Sequence, residues 1–252
     1  MREFENKTVL VTGAGKNIGK DIALTFAKKG ANVIVCDYIE KNALQTVEEV
    51  RECGAQAMEM VCDVRDRATV FSTIQEAIER FGSIDIIVNN AGGSAGMIGK
   101  LTNFVDAESD TLDFVIDVNL KGTMNCIQAA LPNMIERKQG KIINIASIAG
   151  VAGIIKRVDY SAAKGGIIAM TKALAMEVGK YNIFVNCVSP GAIGRGGVVM
   201  KNATFLGEDG RGGVAKDITD AVLFFAQNEY ITGQNLVVDG GRILGPLYQE
   251  KP

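Results

Sequence analysis

The stretch TVLVTGAGKNIGKDIALTFAKKG, residues 8–30, decides the fold. It opens with an apolar run of high β propensity, passes through a glycine-rich turn, and continues into a pattern with helical spacing. We predict a helix that ends at Gly30, where glycine suits a C-terminal cap. The apolar residues that share one face of this helix are Ile18, Ile22, Ala23 and Phe26. Strand, turn and helix in this order predict the first half of a βαβ unit.

The same alternation continues along the chain. Further strands are predicted at 31–37, 55–64, 84–93 and 234–241, and further helices at 41–53, 67–81 and 161–179. Strands that alternate with helices predict a parallel sheet covered on both faces. At 252 residues the chain is long enough for one large core and short for two ordinary domains. We therefore expect an α/β fold, a single-domain Rossmann-like doubly wound sheet spanning residues 1–252.

Charge and hydropathy argue against several classes of partner. The formal net charge is −2 and no basic run appears, which argues against nucleic acid and against an anionic membrane surface. No apolar stretch approaches the ~20 residues that a membrane-spanning helix needs. The first residues, MREFENKTVLVTG, lack the apolar region of a signal peptide. We expect a cytoplasmic protein whose partners are small molecules and further copies of itself.

The chain contains no histidine. This excludes Ser-His-Asp and Cys-His catalysis and removes the commonest transition-metal ligand, so we predict no metal site. The five cysteines are widely spaced and mostly flanked by apolar residues, which favours reduced core thiols over disulfides or zinc ligands. Tyrosine, lysine and carboxylates remain as candidate acid-base groups.

The turn between the first strand and helix is a candidate phosphate-binding loop. Its sequence is GAGKNIG, and backbone amides at the start of a helix approach a pyrophosphate readily. An ordinary tight turn is the alternative explanation. The positions that we expect to contact a dinucleotide here are Gly13, Lys16, Asn17, Ile18 and Gly19.

Asp37 ends the second predicted strand, close to the ~20-residue spacing at which an acid follows such a loop to bind the ribose. Its carboxylate would accept hydrogen bonds from the ribose hydroxyls and repel a 2′-phosphate, which favours NAD over NADP. Lys16 is the opposing signal, because a basic residue in this loop could reach a 2′-phosphate. We give Asp37 more weight, since its carboxylate would occupy the ribose edge itself.

The ends of the third and fourth strands supply further candidate cofactor contacts. Asp63 and Val64 close the third predicted strand, where an acid could meet the adenine amino group. A helix cap or a loop carboxylate is the commoner explanation of such an acid. Asn90, Ala91 and Gly92 close the fourth, and small and amide residues there suit close approach of a cofactor as well as hydrogen bonds within the loop.

Ser147, Tyr160 and Lys164 form the candidate catalytic group. Residues four apart share a face of a helix, so the Lys164 ammonium is expected beside the Tyr160 ring, where it favours phenolate over phenol. A free tyrosine titrates near ~10, so activity near neutrality requires a pKa lowered by roughly 3 units. A desolvated lysine together with an oxidised, positively charged nicotinamide could supply this. On their own, a tyrosine and a lysine at this spacing usually do no more than cover a helix surface.

Together these motifs resemble the short-chain dehydrogenase/reductase family. The resemblance rests on Thr12-Gly13 to Gly19, Asn89-Asn90-Ala91-Gly92, Ser147, the pair Tyr160 and Lys164, and Pro190-Gly191, in this order. It implies that Tyr160 is the general acid/base, that Lys164 lowers its pKa and holds the nicotinamide ribose, and that Ser147 fixes the substrate oxygen. It also implies a part for Asn119 in a water-linked proton relay. The nicotinamide contacts that the resemblance implies at and after Pro190-Gly191 are Pro190, Gly191 and Ile193.

Two positions depart from the family pattern. Asn17 replaces a glycine, which is tolerable because asparagine enters left-handed conformations more readily than other non-glycine residues. Arg195 replaces a threonine that often steadies the nicotinamide amide in the family. The glycine-rich residues 192–216 around this position are expected to form a substrate lid, with a surface loop as the alternative.

The helix 161–179 is small or apolar on almost every side, which predicts burial against the sheet and against another subunit. The family resemblance suggests a homotetramer. We expect an enzyme that transfers a hydride between NAD and a secondary alcohol or ketone, such as a polyol, sugar, hydroxysteroid or cyclic alcohol. The alternatives are a reductase of carrier- or CoA-linked 3-oxoacyl groups and, from a different class, a catalytically silent dinucleotide-binding sensor.

Overall fold

The computed structural model describes residues 3–194, 203–208 and 210–245. Its strands are β1 (Thr8–Thr12), β2 (Asn32–Asp37), β3 (Ala57–Val61), β4 (Ile86–Asn89), β5 (Gly140–Ile145), β6 (Ile183–Pro190) and β7 (Asn235–Val238). Its helices are α1 (Asn17–Lys28), α2 (Glu40–Glu52), α3 (Arg67–Phe81), α4 (Ser109–Ile116), α5 (Gly122–Arg137), α6 (Ala149–Ala152), α7 (Val158–Val178) and α8 (Ala215–Gln227). A π-helical segment, Asp117–Lys121, joins α4 to α5.

In the described part of the chain, seven strands form one parallel sheet in the order β3-β2-β1-β4-β5-β6-β7. The order reverses between β1 and β4, so the chain winds outward in both directions from this point. Such a reversal leaves a crevice at the carboxyl ends of the two strands. The predicted doubly wound α/β sheet is confirmed.

Two apolar layers cover the sheet. On one face α1, α2 and α8 bury side chains such as Phe26 and Phe225, and on the other α3, α5 and α7 bury side chains such as Ile74 and Val178. Every residue of β1 is buried, as expected for a strand with both faces covered. Among the residues that the structure describes, no helix is both long and apolar enough to span a bilayer.

Local signals set the helix boundaries. Helix α3 spans the predicted residues because Asp66 caps its first turn, accepting from the backbone N–H groups of Ala68 and Thr69. Gly82, at φ 80°, ends it in the left-handed conformation. Helix α1 ends just before Gly30, whose φ is 97°. Helix α7 begins at Val158, three residues earlier than predicted.

Three strands are shorter than predicted. β3, β4 and β7 end before their predicted last residues. After β3, one further hydrogen bond joins Cys62 N to the oxygen of Asp37, the last residue of β2, at 3.1 Å, and the chain then turns at Asp63. After β4, the backbone N–H of Asn90 donates to the Thr12 hydroxyl at 3.0 Å. These early strand ends place functional candidates in loops at the carboxyl edge of the sheet.

Candidate active site

The glycine-rich turn is compressed against its neighbours. A Cβ added at Gly19 would lie 2.2 Å from the Gly13 carbonyl oxygen, and one at Gly15 would lie 2.6 Å from an Asp37 carboxylate oxygen. Both positions therefore exclude a side chain. Asn17 has a left-handed φ of 50°, which is the conformation that made asparagine acceptable there. Ile18 is partly buried, whereas Lys16 and Asn17 are exposed.

Asn90 ties this turn to the end of β4. Its side-chain amide donates to the backbone oxygens of Thr12 at 3.0 Å and Gly13 at 3.1 Å. The Thr12 hydroxyl in turn accepts from the backbone N–H groups of Asn90 and Ala91, each at 3.0 Å. The Asn90 side chain thus shapes the loop rather than pointing at a ligand. Thr12 is a residue of this site that the sequence did not predict, and its hydroxyl holds the end of β4 against the turn. Its position directly before Gly13 was the signal that could have identified it.

Asp37 ends β2 with only 5% of its surface exposed. One carboxylate oxygen accepts from Gly15 N at 2.9 Å and the other from Ile39 N at 3.0 Å. Because a carboxylate oxygen accepts about two hydrogen bonds, each oxygen keeps one acceptor position. These bonds fix the carboxylate beside the glycine-rich turn, where the sequence predicted a ribose-binding acid. Lys16 has no ion pair with any other described residue.

Asp63 lies beside Asp37 at the carboxyl edge of the sheet, but its carboxylate is already engaged. Arg65 Nη2 donates to Asp63 Oδ2 at 2.6 Å, and this hydrogen bond, as the leading cause, holds the pKa of Asp63 below its ordinary value. The helix cap is supplied by Asp66, so Asp63 is a loop carboxylate. Val64 is buried, and its carbonyl oxygen accepts from the Asn125 side chain at 3.0 Å.

Lys164 lies on α7 beneath the Tyr160 ring. Its Nζ donates to the Ile145 carbonyl oxygen at 2.7 Å and is 5.6 Å from the centre of the ring. Burial lowers the pKa of Lys164 from 10.5 to about 7, because the ammonium loses its hydration there. The structure therefore brings together the tyrosine and lysine that the sequence paired.

Ser147 follows β5 and is buried. Its Oγ accepts from Ala149 N at 3.1 Å, so its O–H remains able to donate to another group. A Cβ added at Gly150 would lie 2.5 Å from the backbone carbon of Lys164, which shows how tightly the turn after Ser147 packs on α7. Ile148 N also donates to the Pro190 carbonyl oxygen at 3.1 Å. Ser147 therefore lies between α7 and the end of β6.

Asn119 is fully buried in the π-helical segment. Its side-chain oxygen accepts from Gly93 N at 3.0 Å, and its amide donates to the backbone oxygens of Gly93 and Val115, both at 2.8 Å. A Cβ added at Gly92 would lie 2.3 Å from the Asn119 side-chain oxygen. The side chain is therefore used to hold the loop after β4, and a relay role would fall to the Asn119 backbone.

The loop that follows β6 begins beside the end of β7. Gly191 N donates to the Val238 oxygen at 3.0 Å, and Ile193 forms a bridge with Gly213. A cavity of about 220 Å³ lies behind this loop and includes Ile193 and Asp239 but neither Ser147 nor Tyr160. Of the expected lid, 192–194, 203–208 and 210–216 are described, whereas Arg195 and the apolar residues Val198, Val199 and Met200 lie outside the described residues.

Comparisons with known proteins agree with this arrangement. The family model for short chain dehydrogenase matches residues 7–204. The chain is 40% identical over 250 residues to the (2S)-[(R)-hydroxy(phenyl)methyl]succinyl-CoA dehydrogenase subunit BbsD of Thauera aromatica, which covers 96% of this chain and 98% of that protein. Two solved structures are similar over 94–95% of this chain.

One of these structures is NAD⁺-bound xylitol dehydrogenase, with a TM-score of 0.86, 32% identity and 100% of that chain covered. The other is a 3-oxoacyl-[acyl-carrier protein] reductase with bound NAD from Brucella melitensis, with a TM-score of 0.85, 33% identity and 91% of that chain covered. The chain therefore belongs to the short-chain dehydrogenase/reductase family and is an oxidoreductase that acts on CH–OH or keto groups.

Proposed function

We propose that this protein transfers a hydride between NAD(H) and a secondary alcohol or ketone, with Tyr160 as the general acid/base. The observation that carries the proposal is the burial of Lys164 under the Tyr160 ring, with its Nζ donating to the backbone oxygen of Ile145. Such an ammonium gains most when a negative charge forms beside it, and a phenolate supplies that charge.

The cofactor-binding half of the proposal is supported by shape and by charge. Side-chain-free positions at Gly15 and Gly19 let the backbone approach a pyrophosphate closely, and Asp37 keeps one acceptor position on each oxygen for the two ribose hydroxyls. The same carboxylate would lie against a 2′-phosphate, which favours NAD over NADP. The remaining proposed contacts are those of Gly13, Lys16, Asn17, Ile18, Asp63, Val64, Asn90, Ala91, Gly92, Pro190, Gly191 and Ile193.

In the oxidative direction, bound NAD supplies the hydride acceptor. Tyr160, as phenolate, takes the proton from the substrate hydroxyl while the C–H bond breaks, and it returns the proton in the reductive direction. Lys164 stabilises the phenolate, and the Ser147 O–H donates to the substrate oxygen where negative charge develops. One such donor is worth on the order of 3 kcal/mol of transition-state stabilisation. Asn119 keeps the loop after β4 in place through Gly93.

Within this reaction class, a 3-hydroxyacyl or 3-oxoacyl thioester is the favoured substrate. Two of the similar proteins are named for acyl thioesters, one on CoA and one on a carrier protein. The segments that flank Gly93 and Tyr160 also expose many large apolar side chains, which suit an acyl or aryl group better than a polyol. These side chains are Met97, Ile98, Leu101, Phe104, Val105, Ile155 and Val158.

Of the two thioesters we favour that of CoA, because the few cations near these apolar side chains suffice for the phosphates of CoA but form no broad docking surface. A carrier protein would call for a basic docking patch, yet the segment beside these side chains is rich in acids, namely Asp106, Glu108, Asp110 and Asp113. Lys100, a cation of the same segment, is paired with Glu108 at 2.6 Å. Two further cations near Tyr160 are Lys156 and Arg157, which lie just before it in the sequence.

Initial rates with NAD test the substrate class. We expect kcat/KM for aliphatic and aryl 3-hydroxyacyl-CoA to exceed that for xylitol, a cyclic alcohol and a hydroxysteroid by at least about tenfold, since burial of several apolar carbons is worth more than 1.4 kcal/mol. The same acyl group on a carrier protein should be slower than on CoA. Preferred turnover of a polyol would reject the thioester and leave the hydride-transfer proposal standing.

We further propose a homotetramer in the cytoplasm. The exposed side of α7 carries Ala162, Ala169, Ala173 and Met176 beside one cation, Lys172, and Met176 is 81% exposed. A helix with one face on its own core and a second face that is mostly small or apolar suits packing against a second subunit. The five cysteines are free, which fits a reducing compartment.

A further inference from the structure

A chain of buried polar side chains joins two strands of the sheet to helix α7. The side-chain amide of Asn89, at the end of β4, donates to the side-chain oxygen of Asn144 on β5 at 2.9 Å. The Asn144 amide in turn donates to the Thr171 hydroxyl on α7 at 3.0 Å. All three residues are at most 2% exposed. Polar groups at this depth are costly, so we looked for what the chain of hydrogen bonds provides.

Stability alone does not account for these hydrogen bonds. Within the part of the chain that the structure describes, the side-chain oxygen of Asn89 has no hydrogen-bond partner. A polar network that is only partly satisfied is less favourable than an apolar core of the same shape. Hydrogen bonds do restrict geometry, however, because each has a preferred distance and angle. Apolar side chains alone let a helix settle at more than one position along a sheet.

Few apolar contacts hold the middle of α7 in place. They form a small separate cluster, whose buried members are Ala146, Ile167 and Cys187. Thr171 is fully buried next to this cluster and also forms a hydrogen bond with the Cys187 thiol on β6. Thr171 therefore ties α7 to both β5 and β6 at a point where apolar packing is limited.

The same tie bears on Lys164. Lys164 and Thr171 are seven residues apart, which is two turns of the helix, so both face the sheet from the same side of α7. Ile145, whose carbonyl oxygen accepts from Lys164 Nζ at 2.7 Å, directly follows Asn144 on β5. Consecutive residues of one strand thus hold α7 at two points, and a shift of the helix along β5 would disturb both.

We propose that Thr171 is a positioning residue that acts through Asn144 to fix where α7 lies on β5. Its effect is to hold the Lys164 ammonium under the Tyr160 ring. The inference rests on the proposed role of Lys164 beside Tyr160. Without the Thr171 hydroxyl, α7 is free to shift along the strand, Lys164 Nζ separates from the Ile145 oxygen, and water reaches the ammonium.

The titration of Lys164 tests this directly and needs no substrate. It can be followed by NMR of protein whose lysines carry an isotope label at Cε, with Lys164→Met to assign the signal. Burial lowers the pKa of Lys164 to about 7, and Tyr160 is the titratable group that faces the ammonium. In Thr171→Val, which keeps the shape of the side chain but loses the hydroxyl, we expect the pKa of Lys164 to rise by about one pH unit as water enters.

The pH dependence of hydride transfer gives a second readout. For Thr171→Val we expect kcat/KM for a 3-hydroxyacyl-CoA with NAD to fall about tenfold near pH ~7, because deprotonation of Tyr160 then requires a higher pH. The acid limb of the profile should move upward, whereas Kd for NAD should change by less than about twofold. Thr171→Ser keeps the hydroxyl and should restore both the Lys164 titration and the pH profile.

Thr46→Val is the matched control. Thr46 is a fully buried threonine on α2 whose hydroxyl has no hydrogen-bond partner among the described residues, so its loss should move neither readout. A Thr171→Val variant that is less stable in urea but keeps the wild-type Lys164 titration and pH profile would reduce Thr171 to a structural role and overturn the proposal. A wild type that transfers no hydride, with a Lys164 titration that still moves in Thr171→Val, would reject the proposed function and support the positioning role.

Discussion

Burial of the Lys164 ammonium lowers the stability of the fold, and the same burial suits its proposed role beside Tyr160. The side chain is buried, and burial lowers the pKa of Lys164 to about 7. In the unfolded chain the same group titrates near 10.5. Between these two values the unfolded state binds more protons than the folded state, so the contribution of Lys164 to stability rises with pH through this window. Below it, the folded state bears the full cost of burying an ammonium.

We therefore predict that Lys164→Met is more stable than wild type near pH ~6, by on the order of 2–3 kcal/mol, and that the difference shrinks by more than half near pH ~9. Urea unfolding at the two pH values measures this. Lys28→Met, at an exposed position of α1, should show no such pH dependence. A constant difference between Lys164→Met and wild type at both pH values would mean that Lys164 is not desolvated.

At the scale of the element, the turn between β1 and α1 packs closely because Gly15 and Gly19 have no side chains. Gly19→Ala would bring a methyl group to within 2.2 Å of the Gly13 oxygen and 2.5 Å of Asn90 Nδ2. We predict that this variant loses at least about tenfold in NAD affinity and some 1–3 kcal/mol of stability, as overpacking does elsewhere. Titration calorimetry and urea unfolding check the two effects.

Gly179→Ala provides the comparison for this variant. Gly179 follows α7 with an ordinary helical φ of −56°, and a Cβ there would meet nothing within 4 Å. It should keep wild-type affinity and stability. If Gly19→Ala behaved in the same way, the turn would have room that the structure does not show, and its proposed role as a close-fitting pyrophosphate cradle would fail.

The elements were largely predictable from the sequence because their signals are local. Asp66 and Gly82 set both ends of α3, and the spacing of Tyr160 and Lys164 on one helix made their contact foreseeable. Contacts between distant segments were not foreseeable. The Asn119 side chain, for example, forms hydrogen bonds with Gly93 and Val115. These bonds depend on how the π-helical segment packs against the loop after β4, and the spacing of residues in the sequence does not predict that packing.

The same limit applies to Asp63. The sequence left open an adenine contact, a helix cap and a loop carboxylate, and only the fold brings in Phe114, which lies some fifty residues further along the chain and holds the arginine that orients Asp63. The predicted strand ends were also too late, because apolar residues of high β propensity continue past the strand: Val64 is buried, yet the chain already turns at Asp63.

At the scale of the whole molecule, the exposed apolar side of α7 carries the assembly prediction. We predict that Ala169→Glu shifts the protein from a tetramer to smaller species, because a buried, unpaired carboxylate is costly at a subunit interface. Light scattering after size-exclusion chromatography measures the mass. Ala68→Glu, at an exposed position of α3, should leave the mass unchanged. A wild-type monomer, or a tetramer that tolerates Ala169→Glu, would mean that α7 does not form the interface.

The central proposal is that this chain oxidises a secondary alcohol with NAD through Tyr160. Initial rates of NADH formation, for wild type and Tyr160→Phe with one 3-hydroxyacyl-CoA at saturating NAD, test it in a single measurement. We expect Tyr160→Phe to lose at least about a hundredfold in kcat, the usual contribution of a general acid/base, while its NAD affinity stays near that of wild type. A Tyr160→Phe variant that forms NADH at the wild-type rate would contradict the proposal.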